Sequence, residues 1–211
     1  KEAFAEGGLV QVAEGGALDA LDADGNVLGP CPLQRTEVKV EINVEDRLSD
    51  IISEGFDAGI RFHMSVDKDM IAVPIGPPLR MAVVASPAYF AKHPKPKKPR
   101  DLINHNCINM RQATGGGLYA WEFEKDGQEL RVRVVGQLTF NSSYPMIDAA
   151  VKGLGVAYVP DDLVAAELSA GTLVTLLEDW TPPFPGYYLY YPSRHQNAPA
   201  FRVIVDALRQ K

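Results

Sequence analysis

Asn141, Ser142 and Ser143 stand between the strand-like LTFN and the stretch YPMIDAAVKGLG, whose apolar residues recur at helical spacing. At such a junction Asn and Ser are favoured N-caps, because their side-chain oxygens accept from the unpaired N–H groups of the first turn. Those same N–H groups, at the positive end of the helix dipole, can hold a small anion. A plain cap and a ligand contact compete here, and spacing alone favours the cap. Arg111 ends CINMR just before Gly115, Gly116 and Gly117, a place from which a guanidinium can grip a carboxylate through two parallel hydrogen bonds. An ordinary surface arginine is the competing role. Arg61 closes DAGIRF beside His63; there an internal salt bridge, with Asp57 or a helix acid, is favoured over ligand contact. Tyr187 and Tyr188 follow the proline-rich TPPFPG and are candidates to wall a pocket, although strand tyrosines most often pack.

No spacing among the sequence's potentially reactive residues marks a catalytic arrangement. The four histidines, His63, His93, His105 and His195, show no metal-ligand spacing with one another or with Cys31 and Cys107. No G-x-S-x-G elbow is present, and TGGGL lacks the lysine of a phosphate loop. Asp22, Asp24 and Gly25 resemble a fragment of a calcium loop, but with that glycine at its sixth position the first and twelfth are Ala20 and Cys31, neither a carboxylate. The expectation is a binding protein, not an enzyme, with no catalytic residue, cofactor or metal.

A net charge of −6 disfavours broad contact with phosphate backbones, which nucleic-acid binders make with clustered cations. This chain by itself is not expected to hold DNA. The one basic run, Lys92 to Arg100, carries five cations among prolines and reads as a stiff, solvated loop. No stretch approaches the ~20 apolar residues that cross a bilayer, and KEAFAEGG lacks the features of a signal peptide. A cytoplasmic protein without membrane contact is expected, its two cysteines reduced and structural.

The elements that position these residues alternate. EVKVEINV has strand period, VEDRLSDIISEG reads as a helix with Leu48, Ile51 and Ile52 on one face, and FDAGIRF as a second strand. This is an α/β beginning, with parallel strands expected. Ser86-Pro87 starts a short helix, WEFEKDGQELRVRV is a hairpin turning at Asp126-Gly127, and LTFN to VAYVP supplies a second strand, helix, strand unit. In its helix Met146, Ile147, Ala150, Val151 and Leu154 are the expected buried stripe. DDLVAAELSAG is a helix stopped by Gly171, TLVTLLEDW a strand, YYLYYP a strand, and PAFRVIVDALRQK a closing helix. Pro/Gly breaks near Pro77 and after Trp180 suggest two bodies, 77–180 and 1–76 plus 181–211.

From Glu37 onward the sequence resembles the effector-binding domain of LysR-type transcriptional regulators. The likeness rests on VEDRLSDIISEGFDAGIRF, MIAVPIGPPLRMAVVASPAYFAKH, NCINMR, LYAWEFEKDGQELRVRVVGQLTFNSS, GLGVAYVPDDLV and LEDWTPPFPGYYLYYPSR, in the family's order. It implies two Rossmann-like subdomains of periplasmic-binding-protein type II, joined by two crossing strands, with a small effector in the cleft. It implies effector contacts at Asn141, Ser142 and Ser143, and at Val44 and Glu45 in the loop after the second strand, with Arg111, Arg61 and Tyr187 as further candidates. It also implies a homodimer or higher homo-oligomer, and DNA held only through a helix-turn-helix domain absent from this chain; either this is a separately expressed effector domain or the residues upstream are missing, and the first is the expectation. A solute-binding protein of a transport system shares the architecture and is the alternative. The family carries an amphipathic helix where this chain has Gly15, Gly16, Gly25, Gly29, Pro30 and Pro32, a poor helix by composition.

Overall fold

The structure is a computed structural model that describes residues 7–14, 38–45, 55–62, 69–112, 116–193 and 199–209. The helix expected from VEDRLSDIISEG, the glycine-rich stretch with Asp22, Asp24 and Gly25, and Cys31, His63 and His195 fall, wholly or for the greater part, outside the described residues. The chain divides into two compact units, and passes between them at Gly76–Pro77 and again at Gly186–Tyr187.

One unit is built on a five-stranded sheet. Its strands are β1 (Gly7–Glu14), β2 (Val38–Glu45), β3 (Ala58–Phe62), β4 (Met70–Pro74) and, from the far end of the chain, β12 (Tyr187–Pro192), in the order β2-β1-β3-β12-β4. Every adjacent pair is antiparallel. β2 and β3 do run the same way, as the strand, helix, strand reading requires, but β1 lies between them. The closing helix α4 (Pro199–Arg209) buries Phe201 and Val205 with Ala58, Val73, Leu189 and Tyr191. Its apolar spacing provides that face, and Tyr191 meets Phe201 edge-on at 4.7 Å between ring centres.

The other unit spans Pro77–Gly186 among the described residues. β5 (Met81–Ala85) is central in a three-stranded antiparallel sheet, between β10 (Ala157–Pro160) and β11 (Val174–Leu176). Four of its five residues are buried, which explains the unbroken apolar run MAVVA. α1 (Pro87–Phe90) starts as expected: the Ser86 hydroxyl accepts from Tyr89 N, and Pro87 fills the first position. β6 (Asn109–Met110) pairs in parallel with β9 (Thr139–Phe140). β7 (Trp121–Lys125) and β8 (Gln128–Val132) form the hairpin, with Asp126 at φ 53° and Gly127 at φ 76°, the left-handed pair that a two-residue turn needs.

α2 (Ser143–Val151) joins β9 to β10. β10 does not lie beside β9. The segment around Cys107 comes between, bridged in parallel to Val156 on one side and paired with β9 on the other. The turn out of α2 depends on Gly155, where a Cβ would sit 2.3 Å from the Asn106 carbonyl oxygen; only glycine lets Val156 N reach that oxygen at 2.9 Å. Around this lies the larger core, including Trp121, Tyr158, Leu102, Ile108 and Met146, all fully buried. Trp121 stacks on Tyr158 at 5.1 Å and 15°.

Three expected elements differ. Val151 and Leu154 are 37% and 48% exposed, whereas Ala149 is buried: the buried face of α2 runs through Met146, Ile147, Ala149 and Ala150, Val151 at the helix end stands outside it, and Leu154 lies beyond the last turn. TLVTLLEDW is a strand for only three residues; Leu177 at φ 55° breaks it, and a 3-10 turn follows over Glu178–Trp180. DDLVAAELSAG is a 3-10 turn (Asp161–Val164) leading into α3 (Ala165–Ser169).

Near the two passages Leu79 and Phe184 exchange hydrogen bonds, N–H to O at 3.0 Å and 2.8 Å. Gly186 packs against Pro77, where a Cβ would meet the carbonyl oxygen at 2.1 Å.

Candidate functional site

β6 and β9 run parallel with Asn109 opposite Thr139 and Met110 opposite Phe140, so their carboxyl ends finish together at Arg111 and Asn141. The Arg111 N–H donates to the Phe140 carbonyl at 2.7 Å, and its Nη1 donates to the Gly116 carbonyl, also at 2.7 Å. Arg111 is exposed. That carbonyl occupies one face of the guanidinium fork and orients the rest, since Arg has five donors.

Ser142 holds the N-cap position of α2 with extended backbone, φ −141° and ψ 147°, yet its side chain makes no capping hydrogen bond. The plain cap that Ser142 would supply is therefore not formed. Ser143 is fully buried in the first turn, and Asn141 is exposed just before it. No acidic residue stands in that turn, so nothing there offsets the positive end of the helix. Pro145 supplies no N–H, which leaves Ser142, Ser143 and Tyr144 as the donors of the first turn. Structure thus brings Arg111, Asn141, Ser142 and Ser143 to one place, at the carboxyl ends of adjacent parallel strands, where α/β proteins hold ligands.

Asn109, which the sequence reading passed over, belongs to the same edge. It lies two residues before Arg111, so strand alternation puts both side chains on one face. It is 2% exposed. Its Nδ2 reaches the Cys107 carbonyl at 3.4 Å, while Oδ1 has no partner among the described residues. A polar residue inside the apolar CINM was the available signal.

The other expected residues lie in the five-stranded unit. The pairings put Val44 opposite Gly8, Glu45 opposite Gly7, Arg61 opposite Tyr188 and Tyr187 opposite Phe62. Val44, Glu45, Arg61 and Tyr187 therefore share one end of that sheet. Arg61 places its guanidinium 5.2 Å from the centre of the Tyr190 ring, a cation–π arrangement. Tyr187 stacks on Phe62 at 4.6 Å. Packing thus engages both.

Two reactive-looking groups are committed to structure. Burial pushes the Cys107 thiol up to about 12, where it is no nucleophile. His105 is 7% exposed, with Nδ1 3.3 Å from the Tyr89 hydroxyl. Tyr89 Oη accepts from Asn106 N at 3.0 Å, which leaves the phenol proton for His105. Burial and the neighbouring His93 push the His105 pKa below its ordinary value. Among the described residues no group of three or more His, Cys, Asp and Glu could hold a metal ion, and no helix is long and apolar enough to cross a membrane.

A family model described as LysR substrate binding domain matches residues 31–211. The chain is 56% identical over 182 residues to a Pseudomonas aeruginosa protein, covering 86% of this chain and 60% of that one. It is 41% identical over 175 residues to HTH-type transcriptional regulator PgrR of Escherichia coli, covering 83% and 58%. The chain thus spans about 60% of the length of these relatives. Among solved structures, the regulatory domain of CrgA, a LysR-type transcriptional regulator from Neisseria meningitidis, superposes with a TM-score of 0.63 at 26% identity, covering 75% of this chain and 76% of that one. Full-length AphB of Vibrio cholerae gives 0.65 at 23% identity over 77% of this chain and 54% of that one, a likeness of fold. With the family's match running over most of its length and its fold shared with LysR regulatory domains, the chain belongs to the LysR substrate binding domain family, the effector-binding part of LysR-type regulators, of periplasmic-binding-protein type II-like fold.

Proposed function

We propose that this domain senses a small molecule carrying an anionic group, held by Arg111 and the first turn of α2 with Asn141, Ser142 and Ser143. The observation that carries the reading is the pairing of an exposed guanidinium with an acid-free helix start whose Ser142 makes no capping bond. Asn109 Oδ1 adds an acceptor for a donor group of the same molecule. Val44, Glu45, Arg61 and Tyr187 supply further effector contacts in this reading. No chemistry is performed on the effector. Joined to a DNA-binding domain of the kind its relatives' length allows, the domain acts in the cytoplasm as part of a transcriptional regulator and as a homodimer or higher homo-oligomer. Effector binding favours one of its conformations, and a tenfold preference needs only about 1.4 kcal/mol.

Thermal-shift screening with small carboxylates tests this. A ligand at one hundred times its Kd stabilises the folded state by about 2.7 kcal/mol. The expected result is a hit whose stabilisation is lost in Arg111→Ala and in Ser143→Ala. Turnover of the hit, or stabilisation indifferent to both substitutions, overturns the proposal. X-ray scattering tests the assembly, and a monomer at high concentration removes the oligomer.

A further inference from the structure

The run from Lys92 to Arg100 differs from a solvated tail in how it is held. Pro96 and Pro99 are buried, while Lys92, Lys95, Lys97, Lys98 and Arg100 are all exposed. The acid that follows, Asp101, is engaged by the backbone: its Oδ2 accepts from Lys97 N at 3.0 Å and from Lys98 N at 3.1 Å. On the preceding side His93 stacks on Tyr89 at 4.4 Å, and Lys95 lies 5.8 Å from the centre of the Phe90 ring. None of the five cations makes an ion pair with a described residue. Five like charges thus stand along one short backbone stretch on a chain whose net charge is −6, with no ion pair among the described residues and the Asp101 carboxylate at their foot. A loop pinned at both prolines loses little freedom on contact with a partner, which lowers the entropic cost of binding.

We propose that this loop is a docking surface for the phosphate backbone of duplex DNA, a sequence-independent contact additional to whatever segment of the whole protein reads the bases. The inference rests on the proposed function for the presence of DNA, not for the geometry of the loop. A phosphate backbone requires cations and nothing else. A stable interface with an acidic protein requires a buried aromatic or aliphatic anchor; the run itself exposes none, and Ile103, 58% exposed three residues beyond it, stands alone among the cations rather than in an apolar cluster.

Fluorescence anisotropy of a labelled duplex, titrated with this chain between about 20 and 150 mM salt, tests the proposal; each phosphate contact contributes about −0.9 to the slope of log K against log salt. Binding at low salt, independent of sequence, is expected. Changing all five cations to Gln should weaken it at least tenfold and flatten the slope, with the melting temperature unchanged, whereas a Lys→Arg set retains it. Absence of binding at the lowest salt, binding indifferent to the Gln set, or equally tight binding of a poly-glutamate peptide overturns the proposal. Arg111→Ala and Ser143→Ala, which test effector binding by thermal shift, should leave the anisotropy unchanged, so the two proposals fail separately.

Discussion

The Arg111 N–H and the Phe140 carbonyl are joined at 2.7 Å, so the backbone that carries the guanidinium is locked to the residue just before Asn141. The lock does not involve the guanidinium, whose removal should therefore spare the fold. Arg111→Lys is expected to change unfolding free energy by no more than about 0.5 kcal/mol, as surface substitutions do. It should nevertheless lose most of the effector's thermal shift, because an ammonium lacks the planar fork. Urea denaturation and thermal shift on the same samples separate the two effects.

His105 gives the domain a pH dependence of defined sign. Burial first, then His93, depress its pKa, with Asp101 acting the other way, and Tyr89 holds the neutral ring. An unfolded histidine titrates near 6.5, so below about that pH the unfolded chain binds the proton that the folded one refuses. The contribution of His105 to stability is complete above about pH 6.5 and is lost as the pH falls from there through the lowered folded value. Urea midpoints measured at about pH 7.5 and 5.5 should fall further for the wild type than for His105→Gln.

Cys107 is fully buried, and its thiol is pushed up to about 12. At about pH 8 it should resist iodoacetamide in the folded protein and react when urea unfolds the chain, because the thiolate is the reactive species. Peptide mapping by mass spectrometry reads Cys107 separately from Cys31. Rapid modification without unfolding would show that its surroundings open locally.

Trp121 is fully buried against Tyr158, and the Tyr158 hydroxyl donates to the Glu122 carbonyl. Trp121→Ala should cost about 3–5 kcal/mol through lost burial and the cavity it leaves. Tyr158→Phe, which removes one hydrogen bond and strands one carbonyl, should cost about 1–3 kcal/mol. Burial also pushes the Tyr158 and Tyr119 phenols upward, so in an alkaline absorbance titration these two should ionise only with unfolding.

Local signals in the sequence became local structure. Ser86-Pro87 starts α1, and Asp126-Gly127 turns the β7–β8 hairpin, because capping and left-handed turn preferences act within a few residues. Pairing partners were less legible. The period of EVKVEINV specifies a strand but not its neighbour, and β1 came between β2 and β3. Asn141-Ser142-Ser143 was readable as a helix start. That Arg111 stands beside it follows from a register between β6 and β9, which no nearby residue announces. The stripe on α2 failed at Leu154, since spacing does not mark where the helix stops, and at Val151, where Ala149 takes the buried side instead.

Leu79 and Phe184 exchange two hydrogen bonds, and Ile75 N donates to the Tyr187 carbonyl at 3.0 Å. The piece 77–186 therefore begins and ends at neighbouring points, as does the gap it leaves in the rest of the chain. In the terms of chain engineering it is an insertion with adjacent ends. It can be cut out as one continuous gene fragment, and residues 76 and 187 can be rejoined by a short turn, without asking either strand at the cut to change direction.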